Sequence, residues 1–193
     1  YQARDVFIRM EEVLKGCGMN FLHIVRTWLY LDHLLDWYTG FNTVRTQFFR
    51  ERGVFEHGVP ASTGISASNP FGSCIIAGAI AVRPKNEKVK ITEVPSPLQC
   101  SAFNYKSSFS RAVELEFTTN RQLLISGTAC IDSEGKTVHQ NDVAAQIEQT
   151  MNVIGAILES RGMTWNDTSR AIAYFKDISS VPLFNDWLRK NNI

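Results

Sequence analysis

Apolar residues recur in this chain with two periods, and the alternation of those periods outlines its elements. Val6, Met10, Val13, Leu14 and Cys17 fall on one face of a helix, and Gly16 and Gly18 end it, Gly18 as a left-handed cap. Val25 to Leu31 is rich in β-branched and aromatic residues and predicts a strand. Trp37, Phe41, Val44 and Phe48 mark a second helix face, and Gly53 to Pro60 predicts a loop. Two strands are expected next, Ala61 to Ala67 and Ser73 to Val82, joined by the turn signal Asn69-Pro70-Phe71-Gly72. The second is nearly all apolar and is expected to be covered on both faces. Arg83 to Pro97 is polar, holds Pro84, Pro95 and Pro97, and predicts a linker at 84–97.

Beyond it, Arg111 to Phe117 alternates charged and apolar residues as a half-buried strand does, and Gln122 to Ile131 predicts its partner. Asn141 or Asp142 caps a helix whose apolar face is Val143, Ile147, Met151, Ile154 and Leu158. Gly162 ends it. Ser169 to Phe175 predicts a strand, and Phe184 to Leu188 the start of a further helix.

These two series are one series repeated. Shifting the N-terminal segment by 144 residues puts Gln2 on Gln146, Leu14 on Leu158, Gly18 on Gly162, Met19 on Met163, Arg26 on Arg170 and Tyr30 on Tyr174. Phe7 meets Met151, Val13 meets Ile157, and Phe21 meets Trp165. Repetition at this distance predicts tandem copies of one domain type. Residues 1–83 hold the back half of the first copy, and residues 98–193 the second copy without its last strands. The unit is α+β, a mixed β-sheet with two helices packed on one face. Its other face must pack on something, within the chain or between chains. Because copy one supplies back strands and copy two front strands, the two are expected to pair like one permuted domain.

Composition narrows the classes. The chain has 193 residues, 44% of them hydrophobic and 20% charged, with a net charge of +1. Such a balance offers no electrostatic footprint for nucleic acid or an anionic membrane, and no apolar run reaches the length of a membrane span. Cys17, Cys74, Cys100 and Cys130 lack metal-site spacing, and His23, His33, His57 and His139 do not cluster, so no metal is assigned. Free cysteines point to a cytoplasmic location. The chain starts at Tyr1 rather than Met, as expected of a processed chain or a piece of a longer one.

Ile125-Ser126-Gly127-Thr128-Ala129, the helix opening Asp142-Val143-Ala144-Ala145-Gln146, and Met151-Asn152-Val153 with Gly162 resemble the RidA family, also called YjgF or L-PSP endoribonuclease-like. Copy one adds Arg26-Thr27, Tyr30, Phe41-Asn42, Pro60-Ala61 and Ala79-Ile80-Ala81-Val82 in the order of the family's later elements. Two such domains in tandem, with Ser108-Phe109-Ser110-Arg111-Ala112 ahead of Ile125 to Ala129, resemble the chorismatases. The resemblance implies a RidA-like, chorismate-mutase-like fold, and homo-oligomeric or pseudo-trimeric packing with clefts between units. It also implies a small carboxylate substrate and no cofactor. For a chorismatase the reaction is hydrolysis of an enol-pyruvyl ether; the alternative within the family is deamination of an enamine or imine such as 2-aminoacrylate. A third reading is a degenerate ligand-binding or assembly protein that shares the family's older ribonuclease and translation-inhibitor label, for which no basic stripe or aromatic platform speaks.

The resemblance also places site residues. The family's Pro-Ala-Arg reads Pro60-Ala61-Ser62, and its glutamate before Ala-Ile-Ala is Gly78, so copy one lacks both the anion clamp and the acid. Copy two keeps Gly127, the glycine whose N–H meets a substrate carboxylate in the family. Ser126 and Thr128 either orient that carboxylate or satisfy strand-end backbone groups. Phe109 stands where the family has tyrosine. Arg111 is either the replacement cation or an exposed strand residue, and Tyr105 either reaches a ligand ring or packs locally. Arg26 and Arg170 recur in both copies and are read as strand or interface residues. Cys130 has no neighbouring base and is not expected to be a nucleophile. The catalytic acid and a carboxylate-binding arginine are expected beyond Ile193.

Overall fold

The computed structural model describes residues 2–86 and 88–193, so Tyr1 and, within the expected linker, Glu87 lie outside it. The chain divides into two units: residues 1–95 with 101–127, and residues 96–100 with 128–193. The architecture is α+β, built from α1 (Gln2–Gly16), β1 (Ile24–Leu31), α2 (Leu34–Glu51), α3 (Val54–His57), β2 (Ala61–Ser66), β3 (Ile75–Ala81), β4 (Lys90–Val94), β5 (Ala112–Glu116), β6 (Arg121–Ile125), α4 (Val143–Ser160) and α5 (Val181–Lys190).

In the first unit β1 is central, parallel to β2 and antiparallel to β3. Its central place follows from its sequence: Ile24, Val25, Leu29 and Leu31 are all buried, as a strand covered on both faces requires. On one face Phe7 of α1, Phe21, and Phe41, Phe48 and Phe49 of α2 interlock, with ring centroids 5.0 to 6.1 Å apart. On the other, Val25 and Ala61 pack with Val113 and Leu115 of β5. Strands β4, β5 and β6 form an antiparallel meander. It joins the first sheet at β2, where Ala61 bridges Ser110 in parallel and the Ser110 N–H donates to Pro60 O at 3.1 Å. Back strands of copy one and front strands of copy two thus share one unit.

Strand β4 lies inside the stretch read as a linker. Its short alternation is masked by charged residues and by Pro95 directly after it, yet it pairs with β5 in full register from Lys90 opposite Glu116 to Val94 opposite Ala112. Strand β3 is less covered than its apolar sequence predicts: Gly78, Ala79 and Ile80 are exposed. It is an edge strand, and beside it α1 leaves an open groove of about 680 Å3 lined by Val6, Met10 and Val13 from the helix and Ile76, Ala77 and Ala79 from the strand. The loop expected at Gly53 to Pro60 contains the single helical turn α3.

In the second unit Asp142 caps α4, its side chain accepting from the Ala145 N–H at 3.0 Å. Helix α4 buries Ile147, Met151, Val153, Ile157 and Leu158. Trp187 of α5 donates its indole N–H to Glu148 at 2.6 Å and meets Trp165 edge-on at 6.3 Å. Gln99 is tied in by hydrogen bonds from Nε2 to Ala129 O and Ile131 O.

The repeat is visible in local geometry. Gly18 and Gly162 both take the left-handed conformation, at φ 67° and 65°. Each is followed by a short 3-10 turn closed by a reciprocal cap: Asn20 N–H to His23 Nδ1 at 3.0 Å in one copy, Thr164 N–H to Asp167 Oδ2 at 2.7 Å in the other. The copies diverge at the next element. The segment 169–175, counterpart of β1, is not a strand, and residues 169–174 are exposed. The physical reason is pairing. β1 is held between β2 and β3, both of which follow it, whereas no strand follows residue 175 among the described residues.

Candidate functional site

The segment from Ala102 to Arg111 gathers three of the six expected residues. Ser101 caps a 3-10 turn over Ala102–Tyr105, and Lys106 reverses the chain at φ 60°. The chain then returns through buried Ser107 and Ser108 to Arg111 at the foot of β5. This geometry places the Arg111 guanidinium 5.4 Å from the Tyr105 ring centroid and 5.5 Å from that of Phe109. The two rings meet edge-on at 6.4 Å. Arg111 is only 6% exposed, so the alternative of a solvated strand arginine does not hold. Arg111 is thus a buried cation held against two half-buried aromatic rings.

Ser126 and Gly127 lie where β6 meets β2. The Ser126 hydroxyl donates to Ser110 O at 2.5 Å and accepts from the Ser62 N–H at 2.8 Å. It therefore closes the backbone of the junction, the second of the two roles open to it. The Gly127 N–H donates to Ser62 O at 3.0 Å, so a carboxylate meeting that N–H would have to displace this bond. Thr128 begins the second unit and is half-buried.

Ser62 and Gly78 stand at the positions where the resemblance expects an arginine and a glutamate. Ser62 is buried and its Oγ accepts from Thr27 Oγ1 at 2.8 Å. Gly78 sits opposite Trp28, with open space where a side chain would start. Arg26, also buried, donates to Thr27 O at 2.8 Å and Thr63 Oγ1 at 2.5 Å and stacks over Trp28 at 4.6 Å. The first and last of these contacts lie within β1, and the Thr63 bond ties β1 to β2. Cys130 is buried, and burial pushes its thiol up, away from thiolate chemistry.

One group was missed by sequence reasoning. Arg45 of α2 is 4% exposed and donates from Nη2 to Asn42 Oδ1 at 2.6 Å and Ser107 Oγ at 2.7 Å. Its guanidinium lies 5.2 Å from the Phe41 centroid and 5.8 Å from that of Phe109. Burial pulls its pKa down to about 10, with the Tyr38 and Tyr105 hydroxyls opposing. Phe109 thus lies within 5.8 Å of two buried guanidiniums. The signal was present: Arg45 is four residues after Phe41 and three before Phe48, a charge on the apolar face of its helix.

Residues 100–190 match the family described as Endoribonuclease L-PSP. No curated protein matches the chain. Among solved structures, a chorismatase determined at 1.08 Å resolution is similar over 97% of this chain and 61% of its own, with a TM-score of 0.75 and 20% identity. That likeness shows the fold, and the chain spans about three fifths of the length of that chorismatase. E. coli TdcF with bound serine covers 42% of the chain and 62% of its own length at 22% identity, with a TM-score of 0.39, too low to argue from.

Proposed function

We propose that this protein acts on a small carboxylate metabolite by chorismatase-like hydrolysis of an enol-pyruvyl ether, a reading that starts from the match of residues 100–190 to the Endoribonuclease L-PSP family. The observation that carries this reading is Arg111, buried and braced by Tyr105 and Phe109. The guanidinium binds a carboxylate, and the two rings hold an unsaturated ring against it. In the reaction a proton adds to the terminal methylene of the enol ether. Water adds to the resulting oxocarbenium carbon, and the hemiketal collapses to pyruvate and the ring alcohol. The protein's part at Arg111 is to fix the carboxylate so that the ether meets acid and water in register. The chorismatase fold along 97% of the chain supports this choice within the family.

A second reading is favoured by Ser62 and Gly78, which stand in place of the family's clamp and acid: a non-catalytic ligand-binding or assembly protein. The same two residues speak against an imine deaminase. A homo-oligomeric, cytoplasmic setting belongs to the same proposal. The test is pyruvate release from chorismate, run beside ammonia release from 2-aminoacrylate. Pyruvate from chorismate without faster ammonia release from 2-aminoacrylate supports the hydrolase. Ammonia and pyruvate from 2-aminoacrylate above the spontaneous rate, with none from chorismate, support the deaminase, and neither supports the binding protein.

A further inference from the structure

Arg45 is a buried cation without a counter-ion. Among the described residues no carboxylate pairs with it, and its Nε is a buried donor with no acceptor. Its partners are neutral: Asn42 Oδ1 and Ser107 Oγ, the latter also sharing a hydrogen bond with the Tyr38 hydroxyl at 3.1 Å. As a staple between α2 and the 107–108 segment it would be redundant, since Tyr38 to Ser107 and Thr46 to Ser108, at 2.7 Å, already make that tie without charge. Burying a guanidinium and leaving one of its donors unmade opposes folding, and such a cost persists where an anion offsets it.

We propose that Arg45 is an anion-binding residue of this site, reaching it from α2 beside Phe109. Its ligand is the carboxylate of an aromatic or cyclic acid. The Phe109 ring centroid lies 5.8 Å from the Arg45 guanidinium, which puts a ring wall beside the cation, and the orphan Nε is the donor left for an anion oxygen while Nη2 holds Asn42 and Ser107. Entry is past Tyr105 and Phe109, both only half-buried. The inference rests on the carboxylate reading above but not on the reaction.

The probes are benzoate and its neutral isostere benzamide, titrated against the full chain, with Arg45→Met and Arg45→Lys beside it. Benzoate is expected to bind roughly tenfold tighter than benzamide or better, and the Arg45 Nε–H resonance is expected to move on its addition. Arg45→Met should lose the preference for benzoate while keeping its benzamide affinity, and Arg45→Lys should restore only part of it. Without ligand, Arg45→Met should melt at a higher temperature than the parent, because Ser107 keeps its hydrogen bond to Asn42 at 3.2 Å; a structural staple would melt lower. Should Arg45→Met fail to fold, the resonance of the unaltered chain decides. Equal benzoate binding by Arg45→Met, or an unmoved Nε–H resonance, would overturn the inference. Benzoate binding at Arg45 in a protein that releases no pyruvate would uphold it and drop the reaction; pyruvate release undiminished in Arg45→Met would do the reverse.

Discussion

The Gly127 amide donates to the Ser62 carbonyl at 3.0 Å, and Thr63 fills the space where a side chain at 127 would begin. A Cβ there would lie 3.0 Å from Thr63 Cγ2 and 3.2 Å from Thr63 Cα, the second of which is backbone and cannot swing away. Glycine is needed at 127 for this close approach of β6 to β2. Gly127→Ala is therefore expected to destabilise the first unit by ~1–3 kcal/mol. Urea denaturation measures it. Thr63→Ala should recover part of the loss and not all, because the crowding against the Thr63 backbone remains.

Phe7 touches four other rings at 5.4 to 6.1 Å and is 1% exposed. Phe7→Ala opens a cavity in a close-packed aromatic cluster and should cost ~3–5 kcal/mol. Its counterpart in the second copy is Met151, 8% exposed. Met151→Ala is expected to cost ~2–5 kcal/mol. Both values follow from denaturation midpoints at constant slope.

Acid should unfold the first unit partly through Glu11. The Arg52 guanidinium hydrogen-bonded to it, at 3.0 Å, holds its carboxyl below the ordinary glutamate value. A depressed folded pKa means that the unfolded chain binds the proton more readily. The contribution is complete above the unfolded pKa and is lost as pH falls through the folded one. Glu11→Gln should lower stability at pH 7 and flatten its loss between about pH 5 and pH 3. Denaturation midpoints across that window check the sign.

Thiol reactivity should separate the cysteines by place. Cys17 and Cys74 are exposed, Cys100 is half-buried, and Cys130 is buried with its thiol pushed up. A disulfide reagent is expected to modify Cys17 and Cys74 quickly and Cys130 only on unfolding. Peptide mapping of the labelled chain identifies the sites.

Much of the fold is legible in the sequence because period and punctuation agree. The α4 face of Ile147, Met151 and Leu158 is buried as its spacing predicts, Asp142 caps it, and Gly162 ends it. On α1 the same reasoning lands slightly off the axis. Phe7 with Ala3 and Leu14 forms the buried line, while Val13 is 71% exposed and Val6 and Met10 line the groove beside β3. Local pattern finds a helix face but not which side of it the sheet covers. Strand β4 and the segment 169–175 fail for the complementary reason, since a strand exists only with a partner. Lys90–Val94 has one in β5, and residues 169–175, though equivalent to β1 by the repeat, have none.

The candidate positions came from the resemblance, and their partners came from tertiary structure. Tyr105, Phe109 and Arg111 come together as a local segment can. Ser126 and Gly127 are spent on a junction between elements 64 residues apart, as between Ser62 and Ser126. Arg45 reaches Ser107 across 62 residues, a distance over which no sequence period speaks.

Pyruvate release from chorismate, by the full gene product and by its Arg111→Gln variant, tests the hydrolase reading most directly. One pyruvate is expected per chorismate consumed, with a loss of roughly a hundredfold in kcat/KM when the fork at 111 is removed. Absence of pyruvate, or an Arg111→Gln variant as active as the parent, would contradict that reading.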